Sequence, residues 1–232
     1  YEDVVSEVSE LVLNGYQEIV LTGIHTGRYG QDLENMNLEK LLRRLVEIPN
    51  IYRIRLSSIE VNEVTDGIVD LMKSSPVIAR HLHIPLQSGS DKILRKMNRC
   101  YDVAEFEERI KKIREIDPDI SLTTDLIVGF PGETEEDFLE TLDTLKRIHF
   151  TKIHTFPYSK RENTPASVMK DQVDGIVKKR RVKEVLKLSN EMERAFYEKY
   201  LGRTLPGLSE CSKKGEVSIL TSNYIQVSVE GN

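Results

Sequence analysis

The segment Thr124-Asp125-Leu126-Ile127-Val128-Gly129-Phe130-Pro131-Gly132-Glu133-Thr134 runs an apolar stretch into a glycine turn that opens a helix. A bare backbone at such a turn lets a ligand approach closely and meet helix N–H groups. The segment is not G-x-x-x-x-G-K-[ST], so it is no P-loop. No strand is followed by G-x-G-x-x-G, which argues against a dinucleotide fold. A second segment, Leu82-His83-Ile84-Pro85-Leu86-Gln87-Ser88-Gly89-Ser90, places the hydrogen-bonding side chains of Gln87 and Ser88 where a ribose or an amino acid would find partners, and Arg95, Lys96 and Arg99 cluster just after it. Three more segments repeat the theme of polar residues and glycine after an apolar run: Leu21-Thr22-Gly23-Ile24-His25-Thr26-Gly27-Arg28-Tyr29-Gly30, Ser57-Ser58-Ile59-Glu60, and Phe156-Pro157-Tyr158-Ser159-Lys160-Arg161-Glu162-Asn163-Thr164-Pro165-Ala166.

Several of these residues have plainer readings. Glu60 reads equally as a solvated loop charge, and Asp125 as a helix cap or an arginine partner. His25 and His83 lack the spacing of a metal pair and read first as satisfied core histidines. The run Lys178-Lys179-Arg180-Arg181 reads as a solvated helix start before it reads as an RNA contact. Arg161, close to Tyr158, is the better candidate for a phosphate or base, because a guanidinium both forks and stacks. No Ser-His-Asp set or paired carboxylates stand out for acid–base work.

The elements that must position these residues alternate. Helical stripes cover Val4 to Leu13, Leu38 to Val46, Val64 to Met72 and Val103 to Ile116, and a helix with a capping-box start at Thr134 and Asp137 runs to Ile148. Between them lie short apolar runs that read as strands: Glu18 to Leu21, Tyr52 to Leu56, His81 to Leu86, Ser121 to Val128 and Lys152 to Phe156. The alternation predicts a parallel α/β sheet whose functional residues gather at strand C-terminal ends. Gly23, Ser58, Gln87, Asp125 and Tyr158 are therefore expected to line one cleft. After Pro165 the pattern becomes a long amphipathic helix from Asp174 to Tyr200. Beyond Gly202 a period of two appears at Val217 and Ile219, and at Ile225, Val227 and Val229, predicting a small antiparallel β module.

The chain has 232 residues and a net charge of −5, enough for one large domain, or one domain with an appendage, and with no global nucleic-acid footprint. No run approaches the roughly 20 apolar residues of a membrane span. No signal peptide opens the sequence, so a cytoplasmic location is expected and no membrane partner. The two cysteines, Cys100 and Cys211, are far apart and form no C-x-x-C, which excludes a disulfide framework and a cysteine-only metal site. Both termini read as cuts, so a fragment is expected.

Taken together and in order, these segments resemble the radical-SAM domain of the methylthiotransferases over about residues 1–200, and residues 201–232 resemble the opening of the small β domain called TRAM. The resemblance implies an α/β fold, a partial (β/α) TIM-like barrel lacking its first strand, followed by an incomplete β module. Thr22-Gly23-Ile24-His25-Thr26-Gly27, Ser57-Ser58-Ile59-Glu60 and Phe156-Pro157-Tyr158-Ser159-Lys160-Arg161 resemble the branch that acts on N6-threonylcarbamoyladenosine in tRNA. Methylthiolation of isopentenyladenosine or of a ribosomal protein stands as an alternative within the family. A non-catalytic RNA-binding scaffold and a phosphate-binding barrel enzyme stand outside it.

The family implies S-adenosylmethionine and two [4Fe–4S] clusters as cofactors, with tRNA as partner. Its C-x-x-x-C-x-x-C loop would lie before Tyr1, and a second cluster in a separate domain, so this chain is expected to ligate no cluster and to be inactive alone. Carried over, Thr22, Gly23, Ser58, Glu60, Gln87, Ser88, Asp125, Ile127, Gly129, Pro157 and Tyr158 would contact the cofactor. His25, Lys160 and Arg161 would meet the substrate. The sequence assigns no oligomeric state.

Overall fold

A computed structural model describes residues 1–213 and 215–231, without the side chains of 211–213, so Cys211 lies outside the described side chains. The chain divides into two compact units, one of residues 1–83, 112–121 and 200–232, the other of residues 84–111 and 122–199.

In the first unit α1 (Glu2–Leu13) leads into β1 (Glu18–Leu21), followed by α2 (Leu38–Leu45), β2 (Arg53–Leu56), α3 (Asp66–Ser74) and β3 (His81–His83). β1 and β2 pair in parallel from Glu18↔Arg53 to Leu21↔Leu56. Parallel bridges Ile54↔Ile78 and Ser58↔His83 set the third extended segment beside β2. Ile19, Ile54, Leu56 and Leu82 are the buried apolar side chains of these short strands. Leu41, Leu42, Leu45, Ile68, Val69, Met72 and Leu82 fill the core between helices and strands. Asn37 and Thr65 cap α2 and α3 by accepting Lys40 and Ile68 amides.

The same unit holds a three-stranded antiparallel sheet of β6 (Gly207–Lys213), β7 (Glu216–Thr221) and β8 (Gln226–Glu230). Its β7–β8 turn is fastened to the starts of β1 and β2. Arg53 pairs with Glu18 and donates to the Leu220 carbonyl at 2.9 Å. Arg55 donates to Glu18 and, at 3.4 Å, to the Thr221 carbonyl. Tyr224, at φ 68°, stacks on His81 with centroids 4.0 Å apart, and the Arg55 guanidinium lies 5.1 Å from its ring centre. Both arginines are buried and share a single carboxylate.

The second unit contains α4 (Asp91–Lys96), most of α5 (Val103–Ile116) and of β4 (Ser121–Val128), then α6 (Glu135–Ile148), β5 (Lys152–Pro157) and α7 (Gly175–Glu198). β4 and β5 are parallel, with Asp125↔His154 and Ile127↔Phe156 in register. Phe106, Phe138 and Phe150 anchor the core. Thr134 and Asp137 form the capping box that the sequence predicts. The elements without advance signal are α4, β6 and three short 3-10 helices.

Removing Glu18 leaves two buried guanidiniums without their carboxylate. Glu18→Ala is expected to cost about 3 kcal/mol in urea unfolding, the scale for breaking a buried pair. It should also accelerate amide exchange across residues 221–225. Unchanged exchange there would show that the turn is held by its neighbours in β7 and β8 alone.

Candidate functional site

In the first unit the end of β1 opens onto a cavity of about 210 Å³ lined by Val4, Leu21, Thr22, Gly23, Ile24, His25, Thr26, Tyr29, Leu38 and Leu41. The strand stops here because Ser57 N donates to the Leu21 carbonyl, the last ladder bond, while Thr26 Oγ1 and Ser57 Oγ lie 3.3 Å apart. Thr22, Gly23 and His25, three residues singled out from sequence, thus share one cavity. His25 is exposed and precedes a 3-10 turn of Thr26–Arg28, which corrects the expectation of a core histidine. A Cβ on Gly23 would meet nothing nearer than Thr26 Oγ1 at 3.5 Å. The fold itself does not require glycine there, and its absence of a side chain keeps a backbone edge bare. Tyr29 brings a buried hydroxyl with no hydrogen-bond partner, and burial pushes its phenol above the usual value. Among the described residues that hydroxyl is an orphaned donor on a residue that lines a largely apolar cavity.

Ser58 bridges to His83 along the strand edge. Glu60 takes part in a capping box with Glu63 around a 3-10 turn, Val61–Glu63, so its carboxylate has a structural task on the page. Among the described residues no group of three or more His, Cys, Asp or Glu side chains has the arrangement to hold a metal ion.

In the second unit the predicted residues converge on the ends of β4 and β5. Gln87 stands at φ 68°, left-handed for a residue with a side chain. It is held there by its amide donating to the Asp125 carbonyl and its carbonyl accepting Ile127 N, both at 2.9 Å. Such backbone strain persists only where the surroundings fix it, and it concentrates at functional sites. The turn after it is bolted to α6: Gly89 N donates to Thr141 Oγ1 and Thr144 Oγ1 to the Gly89 carbonyl, each at 3.1 Å. A Cβ on Gly89 would lie 2.7 Å from Thr141 Cα, so only glycine permits this approach. Ser88 is fully buried, with its hydroxyl accepting the Ser90 amide.

The glycine turn after β4 has a cause that lies far along the chain. Gly129 takes φ 72°, and its N–H donates to Glu133 Oε2 at 2.6 Å. Arg181 of α7 grips the same carboxylate at 2.5 Å and also donates to the Glu133 and Thr134 carbonyls. The side chains of Arg181 and Glu133 are 3% and 1% exposed. Burial pushes the Glu133 carboxyl up, against the Gly129 amide and the Arg181 charge, which pull it down. Lys178 lies over Gly129, whose missing Cβ would sit 2.2 Å from Lys178 Cγ, and its ammonium donates to the Tyr158 carbonyl at 3.1 Å. The basic start of α7 is therefore not simply solvated: Lys178 and Arg181 tie the ends of β5 and β4 to one helix.

Tyr158 packs edge-on against Phe130 at 5.2 Å, and its buried hydroxyl has no hydrogen-bond partner among the described residues. Pro157 is exposed, as are Lys160 and Arg161. Asp125 and Ile127 are half-buried on one face of β4, while Thr124, Leu126 and Val128 on the other are fully buried. Glu133 and Arg181 are the residues that sequence reasoning passed over. The signal for them is an acid inside an otherwise apolar glycine turn, which calls for a cation from elsewhere in the chain.

The sequence profile of the Radical SAM superfamily matches residues 1–145. Threonylcarbamoyladenosine tRNA methylthiotransferase MtaB of Bacillus subtilis is 42% identical over 99% of this chain and 52% of that protein. A tRNA-2-methylthio-N(6)-dimethylallyladenosine synthase of a Thermoanaerobacter species is 44% identical over 95% of this chain and 47% of that protein. The chain thus spans about half the length of the curated relatives it matches. Among solved structures, the radical SAM enzyme coproporphyrinogen III oxidase (HemN) from Escherichia coli aligns with a TM-score of 0.60 at 16% identity, covering 82% of this chain and 46% of that one. That likeness establishes the fold class as the α/β type of those enzymes.

Arg181→Met leaves a buried carboxylate unpaired and is expected to cost about 3–5 kcal/mol. The stranded Glu133 then binds a proton more tightly in the folded than in the unfolded state. Stability of the variant is thus fullest below the ordinary carboxylate pKa and falls as pH rises, so its deficit should be larger at pH 8 than at pH 5. Chemical unfolding at both pH values checks the sign. Adding Glu133→Gln to Arg181→Met should recover much of the loss, since the amide still accepts the Gly129 N–H.

Proposed function

This chain belongs to the radical SAM superfamily, and from that premise we propose that it is the ligand-binding portion of an enzyme that installs a methylthio group at C2 of N6-threonylcarbamoyladenosine in tRNA. The observation that carries the proposal is the match along nearly the whole chain to a relative named for that substrate. The match to a dimethylallyladenosine enzyme supports the same chemistry with the other substrate, so the branch turns on the pocket.

S-adenosylmethionine, when bound, supplies the methyl group and the radical chemistry of the superfamily. The residues present fit it in two respects. The bare backbone at Thr22 and Gly23, with the orphaned Tyr29 hydroxyl nearby, suits a compact polar group such as an amino acid head. The end of β4, held open at Gly129, suits a flat ring lying against Ile127, with the Tyr158 hydroxyl as a donor in reserve. Ser58, Glu60, Gln87, Ser88, Asp125 and Pro157 complete the proposed contacts. Glu60 and Ser88 act in this scheme through the turns they shape. The two [4Fe–4S] clusters find no ligand set among the described residues, so no step through them is assigned to this chain. The place of action proposed is the cytoplasm; among the described residues no helix is long and apolar enough to cross a membrane.

Threonylcarbamoyladenosine carries a carboxylate that dimethylallyladenosine lacks. A carboxylate taken out of water needs a cation. Lys160 and Arg161 are exposed, and His25 lines the cavity of the first unit. Arginine would meet the carboxylate with a bidentate fork.

Nucleosides from a deletion strain complemented with the complete parent gene should contain methylthio-threonylcarbamoyladenosine and no methylthio-dimethylallyladenosine, read by mass spectrometry. Arg161→Ala should lower the product roughly tenfold or more, the scale for losing a charge partner. Appearance of the dimethylallyl product instead would transfer the chain to the other branch.

A further inference from the structure

One side of the β4–β5 sheet has been sealed by packing and the other has not. Register pairs in a parallel sheet put side chains on the same face. Thr124 with Ile153 and Leu126 with Thr155 therefore share one face, where Thr124, Leu126 and Val128 are 0% exposed and Ile153 is 2%. Asp125 with His154, and Ile127 with Phe156, share the opposite face. There the burial falls away toward the strand ends, and Phe156 is 51% exposed although it sits in a regular strand beside Ile127.

We infer that Phe156 is a base-stacking residue, the platform on which the target adenine of the RNA lies flat. The exposed phenyl ring itself offers a planar apolar shelf, and every base has a π-face to lay on it. Charge decides which adenine fits. Two exposed cations, Lys160 and Arg161, follow the ring by four and five residues. S-adenosylmethionine carries one carboxylate beside its ammonium and sulfonium charges and has no phosphate, so a pair of cations suits it less than it suits a nucleotide. An RNA nucleotide has a phosphate, and the proposed substrate has a carboxylate on its N6 arm as well. Stacked aromatics interleaved with arginine and lysine are how single-stranded loops are bound. A ring held at Phe156 would let the N6 substituent reach toward Lys160 and Arg161. The inference rests on the proposed tRNA substrate and deepens it by naming the residue that holds the base.

The test uses the complete parent protein with two probes, an RNA stem-loop with an adenosine in its loop and S-adenosylhomocysteine. Phe156→Leu keeps apolar bulk and removes the π-face; Phe156→Tyr keeps the π-face. Fluorescence anisotropy for the RNA and calorimetry for the nucleoside give the two affinities, and thermal melting confirms that each variant folds. Phe156→Leu should weaken RNA binding about tenfold, the effect of losing one base–aromatic stack. Phe156→Tyr should restore it, and S-adenosylhomocysteine affinity should stay within about twofold of wild type. Weakened S-adenosylhomocysteine binding with intact RNA binding would give the ring to the cofactor and overturn the inference. No change in either affinity would assign the ring to a protein neighbour and overturn it too. A wild-type protein that binds no RNA would sink the proposed function itself, an outcome distinct from both.

Discussion

The ion pair between Arg181 and Glu133 is the contact on which the second unit depends. It is almost wholly desolvated and it is shared: the same carboxylate that faces the guanidinium also accepts the Gly129 amide. A glycine turn with a positive φ is a conformation the unfolded chain visits freely and has little reason to keep. Glu133 fixes it by claiming the N–H, and Arg181 fixes Glu133. Replacing such a pair with apolar residues often leaves stability unchanged or raises it. Its value here lies in the shape it imposes, because a hydrophobic pair would not reach the Gly129 amide. The mouth of β4 is thus set by a residue 48 positions away.

That separation explains what was legible in the sequence and what was not. The bounds of β1, β4 and α5 follow from local pattern, and the Thr134–Asp137 capping box is a local signature, so all of them stand where the sequence places them. The strand-end motifs at Thr22–Gly23, Gln87 and Gly129 were legible for the same reason. Lys178–Arg181 looked like a solvated charge run because a run of cations does not announce its partners; the carboxylate that buries Arg181 is in another element. α4 is only six residues long, too short to show a period. β6, Gly207–Lys213, has no alternation of apolar side chains to betray it. His25 reads first as a core histidine because it lacks the spacing of a metal pair, and its exposure follows from the 3-10 turn it precedes.

The first unit solves a different problem. Its small antiparallel sheet has an exposed outer strand, β8, with every residue open to solvent. A three-stranded sheet with one solvated strand has little core of its own. Its attachment comes instead from polar groups at the β7–β8 turn: two guanidiniums donate to the Leu220 and Thr221 carbonyls, and Tyr224 lies against both His81 and Arg55. Directional contacts of this kind fix orientation as well as position, which non-directional apolar packing does less sharply. A module oriented at the starts of β1 and β2 leaves the other end of those strands, with the cavity at Thr22 and Gly23, clear.

In both units polar side chains act on backbone groups at or beside the residues proposed to meet ligands. In the second, carboxylate, guanidinium and ammonium hold Gly129 N and the Tyr158 carbonyl, while the side chains of Ile127, Phe156, Lys160 and Arg161 are half-buried or exposed. In the first, Glu18, Arg53 and Arg55 hold the sheet module, while Gly23 keeps a bare edge and Tyr29 an unused hydroxyl. A strand end that is rigid in its backbone and unspent in its side chains meets a ligand at small entropic cost, because little must be ordered on binding.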